Sequence, residues 1–277
     1  MTMTSTRTRA AAAVLAWVAG AAHGATSLEP IAQIEDGVNL AGAVLGRVPE
    51  FWGSRDSATG IAPMARWHLG GERFVQWMGT EVTVNLLNHP RWRFGPSLGV
   101  RLGRREVSDP VVAAMQPVTS TGELGAFVAY TEPLGKDPRH RWGVNVALAG
   151  ATGSVYGGLY GVASAHWLKP VAPWLTLSAT GGVGFSGSGF QRAYFGVAPE
   201  DAALFPGLGA AGYRPGGGLT DVRALAGAMV HLSMNWHVLA GVRWQRLVGD
   251  AAHSPIVRQR GDATQWIAGA GIVYLWR

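Results

Sequence analysis

Three residues of the kinds that serine hydrolases use stand close together in this sequence: Asp250, His253 and Ser254. In such enzymes an acid orients an imidazole, which in turn activates a serine hydroxyl. Side chains so close along one segment rarely converge in that way, and Ser254 followed by Pro255 is typical of the start of a turn. The other residues considered for this role are His68, His166, His231, His237 and Asp221. We predict no catalytic residues and no enzymatic activity.

Metal and cofactor chemistry finds equally little support. No pair of histidines is accompanied by acidic residues at a spacing that would complete a set of metal ligands. A zinc site needs three or four such ligands. The chain has no Cys, which excludes thiolate ligands, a cysteine nucleophile and a disulfide scaffold. We therefore expect no metal site and no cofactor.

A second group that could do chemistry is basic: Arg93, Arg101 and Arg243, which we predict to face the lumen of a barrel. Arginines that line a pore bias it towards anions. Alternatively, they pair with acids and fill a closed barrel. The acids available for this are Glu81, Glu123 and Asp221. In a barrel of only ten to twelve strands, we favour arginines that pair with acids and fill the interior.

The composition indicates a sheet-rich protein that meets an apolar environment. Only 14% of the 277 residues are charged and 48% are hydrophobic, whereas soluble domains average roughly 25% charged residues. There are 40 Gly and 12 Trp, and the formal charge is +6 with only two lysines, Lys136 and Lys169. No basic run is longer than Arg104-Arg105, so we expect no nucleic-acid partner.

The first segment has the features of a secretory signal. Arg7 and Arg9 precede an apolar run over 10–22, and Ala22 and Gly24 place small residues where a signal peptidase cleaves. The run is too short to anchor the chain as a membrane helix. We predict a signal peptide over 1–24 and a barrel domain over 25–277. Removal of two arginines and no acid lowers the charge from +6 to +4.

The rest of the chain alternates with a period of two. The stretch 142–168 is long enough for a membrane helix, but in it Trp142, Val144 and Val146 alternate with Gly143 and Asn145, which indicates a strand. A soluble sandwich would put Lys, Glu and Thr on its second face. Here that face carries Gly, Ala, Ser and scattered Arg, as inside a narrow closed barrel. We predict an all-β fold, a transmembrane antiparallel up-and-down β-barrel.

Twelve segments carry this pattern, although two are short and ten strands remain an alternative. The predicted strands are 38–47, 60–69, 72–78, 80–87, 92–104, 121–132, 140–151, 155–168, 174–185, 218–233, 236–248 and 264–276. With both termini in the periplasm, every even-to-odd connection is a short turn and all the long connections fall on the outer side. This is the arrangement of bacterial outer-membrane barrels.

Tryptophans support this orientation. Six fall at strand ends next to the predicted periplasmic turns, where indoles form an interfacial girdle. They are Trp92, Trp142, Trp167, Trp174, Trp236 and Trp276. On the opposite side the connection 186–217 is long, and Pro199 followed by two acids predicts one short helix there. We expect this loop to fold into the mouth or to bind a partner.

Several segments resemble the MltA-interacting protein family, MipA/OmpV. The matching segments are PEFWGS at 49–54, YFGV at 194–197 with the proline at 199, GLTDV at 218–222 and LVGDAAHSPIV at 247–257. They follow the family's order over most of the mature chain. This sequence departs from the family at His253, where an acid is usual, and in ending with Arg277 after Trp276.

The resemblance implies an outer-membrane β-barrel in the cell envelope of a Gram-negative bacterium. For the best-known type it also implies a scaffold that brings a lytic transglycosylase together with a murein synthase. Other members are described as porin-like or as adhesion factors, so a small-solute channel and an adhesion factor are the alternatives. The implied partners are outer-membrane lipid and the two murein enzymes. The resemblance carries over no functional residues.

Overall fold

The computed structural model describes residues 37–277, and the predicted signal peptide lies outside them. Within this range the chain forms twelve strands. They are β1 (Asn39–Pro49), β2 (Ser57–His68), β3 (Phe74–Met78), β4 (Glu81–Asn85), β5 (Trp92–Arg101), β6 (Thr121–Pro133), β7 (Arg141–Ala151), β8 (Tyr160–Ala172), β9 (Leu175–Ser186), β10 (Gly218–His231), β11 (Trp236–Leu247) and β12 (Thr264–Trp276).

Each strand pairs antiparallel with the next, and β1 pairs with β12, so the sheet closes into a barrel. The closing seam runs from Asn39 opposite Trp276 to Arg47 opposite Ala268. The predicted barrel of twelve strands is therefore confirmed, and the alternative of ten is not. Closure leaves the sheet no free edge, which is the condition for a sheet to lie in lipid.

The period of two becomes an inside and an outside. In β7, Trp142, Val144 and Val146 are exposed on the outer surface, whereas Arg141 and Asn145 are buried inside. Apolar side chains facing outwards over several strands form the band that lipid requires, and polar ones fill the interior. The low charge of the sequence results from this band.

Most strand boundaries differ from those predicted by one to five residues, and two of the larger differences lie at the loop end of β8 and of β5. β8 starts at Tyr160 rather than at 155, because Gly158 has a φ of 80° and the chain turns there. β5 ends at Arg101 rather than at 104. Arg104 then forms a single bridge with Val118 inside the following loop. In both places the alternating pattern of the sequence extends past the residues that pair with a neighbouring strand.

The barrel has two unlike ends. At the end that we call the turn rim, the connections are 69–73, 86–91, 134–140, 173–174 and 232–235. At the end that we call the loop rim, they are 50–56, 79–80, 102–120, 152–159, 187–217 and 248–263. All the connections longer than seven residues lie at the loop rim. The predicted separation of short and long connections therefore holds.

Helices occur in three of the loop-rim connections. They are α1 (Pro110–Ala114), α2 (Ser188–Phe195), a 3-10 helix (Pro199–Leu204), α3 (Gly249–His253) and α4 (Pro255–Arg260). The 3-10 helix lies where Pro199 predicted a short helix, and the others were not predicted. None of the helices within 37–277 is long and apolar enough to cross a membrane.

Candidate functional site

The three longest loops, 102–120, 187–217 and 248–263, fold together over the loop rim into what we call the lid. Its underside is an apolar cluster against the top of the barrel, formed by Trp52, Tyr156, Tyr160, Val162, Phe190, Phe195, Leu247, Ala251 and Val257. A second cluster joins Phe51 of the neighbouring connection 50–56 to five residues of the lid, Val112, Met115, Val197, Phe205 and Ile256. The loops therefore have a core of their own.

Polar contacts join each pair of lid loops. Arg260 in α4 pairs with Asp109 at the start of α1, with Nη2 at 2.8 Å from Oδ2. The carboxylate of Asp201 accepts the backbone N–H of Gln116 at 3.1 Å. The remaining pair of loops, 187–217 and 248–263, is joined by the Ser254 hydroxyl. All three loops are thus fixed to one another.

Asp109 also caps α1, and its electrostatics reflect both roles. Its carboxylate accepts the backbone N–H groups of Val111 and Val112. Burial acts to raise its pKa, but the hydrogen bonds from Arg260 and from these amides outweigh burial and hold the pKa below its usual value. The charged form of Asp109 is therefore the form that the folded lid favours.

The trio Asp250, His253 and Ser254 serves the lid. Ser254 is fully buried between α3 and α4, and its hydroxyl donates to the carbonyl of Phe195 at 2.6 Å. Asp250 accepts the N–H of Gly216 at 2.6 Å, while His253 is exposed. The hydroxyl and the carboxylate thus have structural partners outside the trio. Within 37–277, no group of three or more His, Asp or Glu is placed to hold a metal ion.

Arg101, predicted to face the lumen, lies directly under the lid. It is 3% exposed, and its Nε lies 2.5 Å from Oε1 of Glu123. Its guanidinium also lies 4.8 Å from the ring centre of Phe190 and 5.1 Å from that of Tyr160. Rings around a buried guanidinium contribute cation–π attraction. A barrel arginine therefore joins the wall to the underside of the lid.

A tyrosine from loop 152–159 completes this group. The hydroxyl of Tyr156 donates to the Glu123 carboxylate. Burial, together with this hydrogen bond and the charge of Glu123, raises the pKa of Tyr156 well above its usual value. The phenol thus remains a neutral donor, and the carboxylate has two partners.

The other two predicted lumen arginines lie lower in the barrel. Arg93 is buried on the inner face of β5, with Nη1 at 3.3 Å from the hydroxyl of Thr131. Arg243 lies on the inner face of β11 and donates to Gln245 at 3.2 Å. Arg93 and Arg101 lie near opposite ends of β5 and are therefore not brought together, and Arg243 lies on β11. Arg101 forms a salt bridge with Glu123, one of the acids expected to pair with these arginines.

The predicted partner Asp221 pairs instead with Arg223, which the sequence analysis missed. Their side chains are 2.6 Å apart, and Arg223 also donates to the hydroxyl of Tyr160 at 2.7 Å. A bulge between Leu219 and Asp221 shifts the alternation, so both charged side chains point inwards. Counting alternate residues from Gly218 would have placed Arg223 outside.

The turn rim is stabilised by strand residues instead of loops. An apolar cluster inside the barrel there is formed by Val38, Leu40, Met64, Met229, Leu239 and Val273. Beside it, Nδ1 of His231 lies 2.9 Å from Nδ1 of His237. A cavity of about 670 Å³ opens beyond these residues and is lined also by Arg139, Met234 and Trp276.

The six predicted girdle tryptophans lie at or near this rim. Trp92 and Trp236 begin β5 and β11, Trp142 is the second residue of β7 and pairs with Trp167, and Trp276 ends β12. Trp174 lies in the shortest turn. Five of them are exposed on the outer surface, and Trp276 is partly exposed. Their interfacial role remains a prediction.

Comparison with solved structures found similar barrels at low sequence identity. No curated protein matches the sequence. OmpT of Vibrio cholerae is 10% identical, with a TM-score of 0.38 over 89% of this chain and 100% of that one. The CymD monoaromatic hydrocarbon channel is 10% identical, with a TM-score of 0.41 over 88% and 89%. The translocator domain of the autotransporter NalP from Neisseria meningitidis is 14% identical, with a TM-score of 0.29 over 88% and 90%.

The family comparison covers nearly all of the described barrel. The family model described as MltA-interacting protein MipA matches residues 41–276, from β1 to the end of β12. This range contains every segment on which the resemblance in the sequence rests. The chain therefore belongs to the family of the MltA-interacting protein MipA and is an outer-membrane β-barrel.

Proposed function

We propose that this protein is a non-enzymatic scaffold in the outer membrane that brings a lytic transglycosylase together with a murein synthase. The description of its family names MltA as an interaction partner. The observation that carries the proposal is the lid, because three loops with a shared apolar core cover the end through which a channel would have to open. The charged groups directly beneath it are paired with one another.

The turn rim offers the surface that such a scaffold needs. Short turns of outer-membrane barrels face the periplasm, where murein lies. The turn 232–235 presents Met234, 93% exposed, and Leu232, 60% exposed. Arg139 and Arg277 line the cavity next to this turn. Exposed apolar side chains beside cationic ones suit a protein partner, because interfaces combine an apolar centre with a charged rim.

A small-solute channel is the second candidate, and the inward-facing arginines favour it. Arg93 and Arg243 lie on the lumen wall below the lid, where positive charge would select anions. This function requires the lid to leave the loop rim. Conductance that appears only after lid removal would therefore fit the scaffold.

Affinity retention of a lytic transglycosylase tests the scaffold. We expect the full chain in detergent to retain MltA, and Met234→Glu to reduce retention at least tenfold because it places a charge at the centre of the contact. Leu159→Glu is the matched control, since Leu159 is an exposed apolar residue at the loop rim. Equal retention by both variants, or none by the unaltered protein, would contradict the proposal.

A further inference from the structure

A cavity of about 460 Å³ opens in the lid beside the apolar cluster and the Asp201–Gln116 contact described above. It lies between loop 102–120 and loop 187–217. Three cationic side chains line it, those of Arg104, Arg192 and Arg214, against one acid, Asp201. Its volume falls within the roughly 300–1,000 Å³ typical of small-molecule sites.

Arg104 forms the deep wall of this cavity. It is 6% exposed, its Nη1 donates to the carbonyl of Tyr194 at 3.2 Å, and its guanidinium lies 5.7 Å from the ring centre of Phe51. Within 37–277 its Nε has no hydrogen-bond partner. A buried donor without a partner is costly, so such groups normally meet a ligand or water.

The charge of Arg104 persists despite its burial. Burial lowers the pKa of Arg104 to about 10, with Asp201 acting in the opposite direction. The side chain is thus cationic at neutral pH. Both oxygens of Asp201 are engaged by the N–H of Gln116, at 3.1 and 3.3 Å, so this acid has a structural task.

The mouth of the cavity carries the other two cations. Arg192, in the last turn of α2, and Arg214 are both exposed. Three arginines against one aspartate leave a net charge of +2 in the lining (3 − 1). A phosphomonoester carries about −1.5 to −2 at pH 7, and the planar fork of arginine matches its oxygens.

We propose that this cavity is a binding site for a phosphorylated sugar at the cell surface. Bare phosphate would leave most of the volume empty, whereas a sugar ring contacts the apolar part of the lining, Met115 and Val197. Arg104 donates Nε–H to the phosphate from below, while Arg192 and Arg214 close over it from the mouth. The phosphorylated sugar is either a free solute or the headgroup of an outer-leaflet glycolipid.

Calorimetric titration of the full chain in detergent with glucose 1-phosphate tests the site. We expect binding of glucose 1-phosphate and none of glucose. The double variant Arg192→Gln/Arg214→Gln should bind at least tenfold more weakly, and Arg104→Lys, which keeps the charge but loses the Nε donor, severalfold more weakly. The control is Arg105→Gln/Arg258→Gln, which removes two exposed arginines that do not line the cavity and should leave the affinity unchanged.

Three outcomes would contradict the proposal. Equal binding of glucose, or an equal loss in the control variant, would overturn it, as would no binding of glucose 1-phosphate. Vesicles that contain a phosphorylated glycolipid then identify the source. Competition by these vesicles, but not by phosphatidylcholine vesicles, indicates the lipid headgroup, and its absence indicates a soluble sugar phosphate. Because the site lies in the lid, its test is independent of murein-enzyme retention.

Discussion

The two rims of the barrel are stabilised by different means. At the loop rim, closure comes from three loops far apart in sequence, whose contacts with one another form a lid core. At the turn rim, the apolar cluster consists of inward-facing strand residues beside short turns. Closure of the loop rim is therefore a tertiary property of loops, which can be removed while the barrel remains. Packing at the turn rim belongs to the sheet itself.

Truncation of one large side chain in each apolar cluster should give the largest difference in behaviour between the two rims. Phe190→Ala removes a fully buried ring from the underside of the lid and should cost the lid about 3–5 kcal/mol. Met229→Ala, in the turn-rim cluster, should cost the barrel about 2–5 kcal/mol. Protease cleavage of 187–217 should increase only for Phe190→Ala, and loss of heat-resistant migration in gels only for Met229→Ala. The reverse pattern would contradict the division.

The buried ion pair beneath the lid should give the next largest effect. Glu123→Ala leaves Arg101 buried without its carboxylate and should destabilise the loop rim by about 3 kcal/mol. Adding Arg101→Met removes the isolated charge, so the double variant should be more stable than Glu123→Ala alone. Denaturant unfolding of the two single variants and the double variant measures this coupling. Additive losses would show that the pair does not act as a unit.

Ser254→Ala should have a moderate effect that also tests its assigned role. The variant leaves the buried Phe195 carbonyl without its donor, at a cost of about 1–3 kcal/mol. Ser254→Thr keeps a hydroxyl and serves as the control for the lost hydrogen bond. Protease resistance of the lid is the measurement. Unchanged resistance of Ser254→Ala would show that this hydrogen bond does not hold the lid.

The smallest effect is expected from the Asp109–Arg260 pair, which is partly exposed and worth about 0.2–1 kcal/mol. Because the pKa of Asp109 is lowered in the folded lid, its stabilisation is complete above the ordinary value of 3.8. It is lost as pH falls through the lowered value. Asp109→Asn should lower the stability of the lid at pH 7. It should also reduce the difference in lid stability between pH 7 and pH 3. The measurement compares the cleavage rates of the lid in the unaltered protein and in Asp109→Asn, with trypsin at pH 7 and pepsin at pH 3.

Much of the barrel could be predicted from the sequence because its signal is local. Outward Trp142 and Val144 next to inward Asn145 express the period of two within a few residues. The short β3 and β4 were uncertain because five residues carry little pattern. Arg223 was missed because one bulge reverses the phase that alternation relies on.

Folding of loop 186–217 into the mouth was one of two expectations, but the rest of the lid could not be predicted, because its order comes from contacts between distant loops. α3 and α4 have five and six residues, too few to be stable without packing. Ser254 followed by Pro255 indicated a turn, but the sequence did not indicate that Ser254 and Asp250 bind Phe195 and Gly216. In the sequence nothing distinguishes Arg104 from its neighbour Arg105. Only the fold buries Arg104 and leaves Arg105 exposed.

Single-channel recording in a planar bilayer tests the closed loop rim most directly. We predict that the full chain gives no steady conductance, and that deletion of 187–217 produces stable steps. Phe190→Ala should give brief openings between these two limits. Steady steps from the full chain, unchanged by the deletion, would contradict closure by the lid and favour a channel.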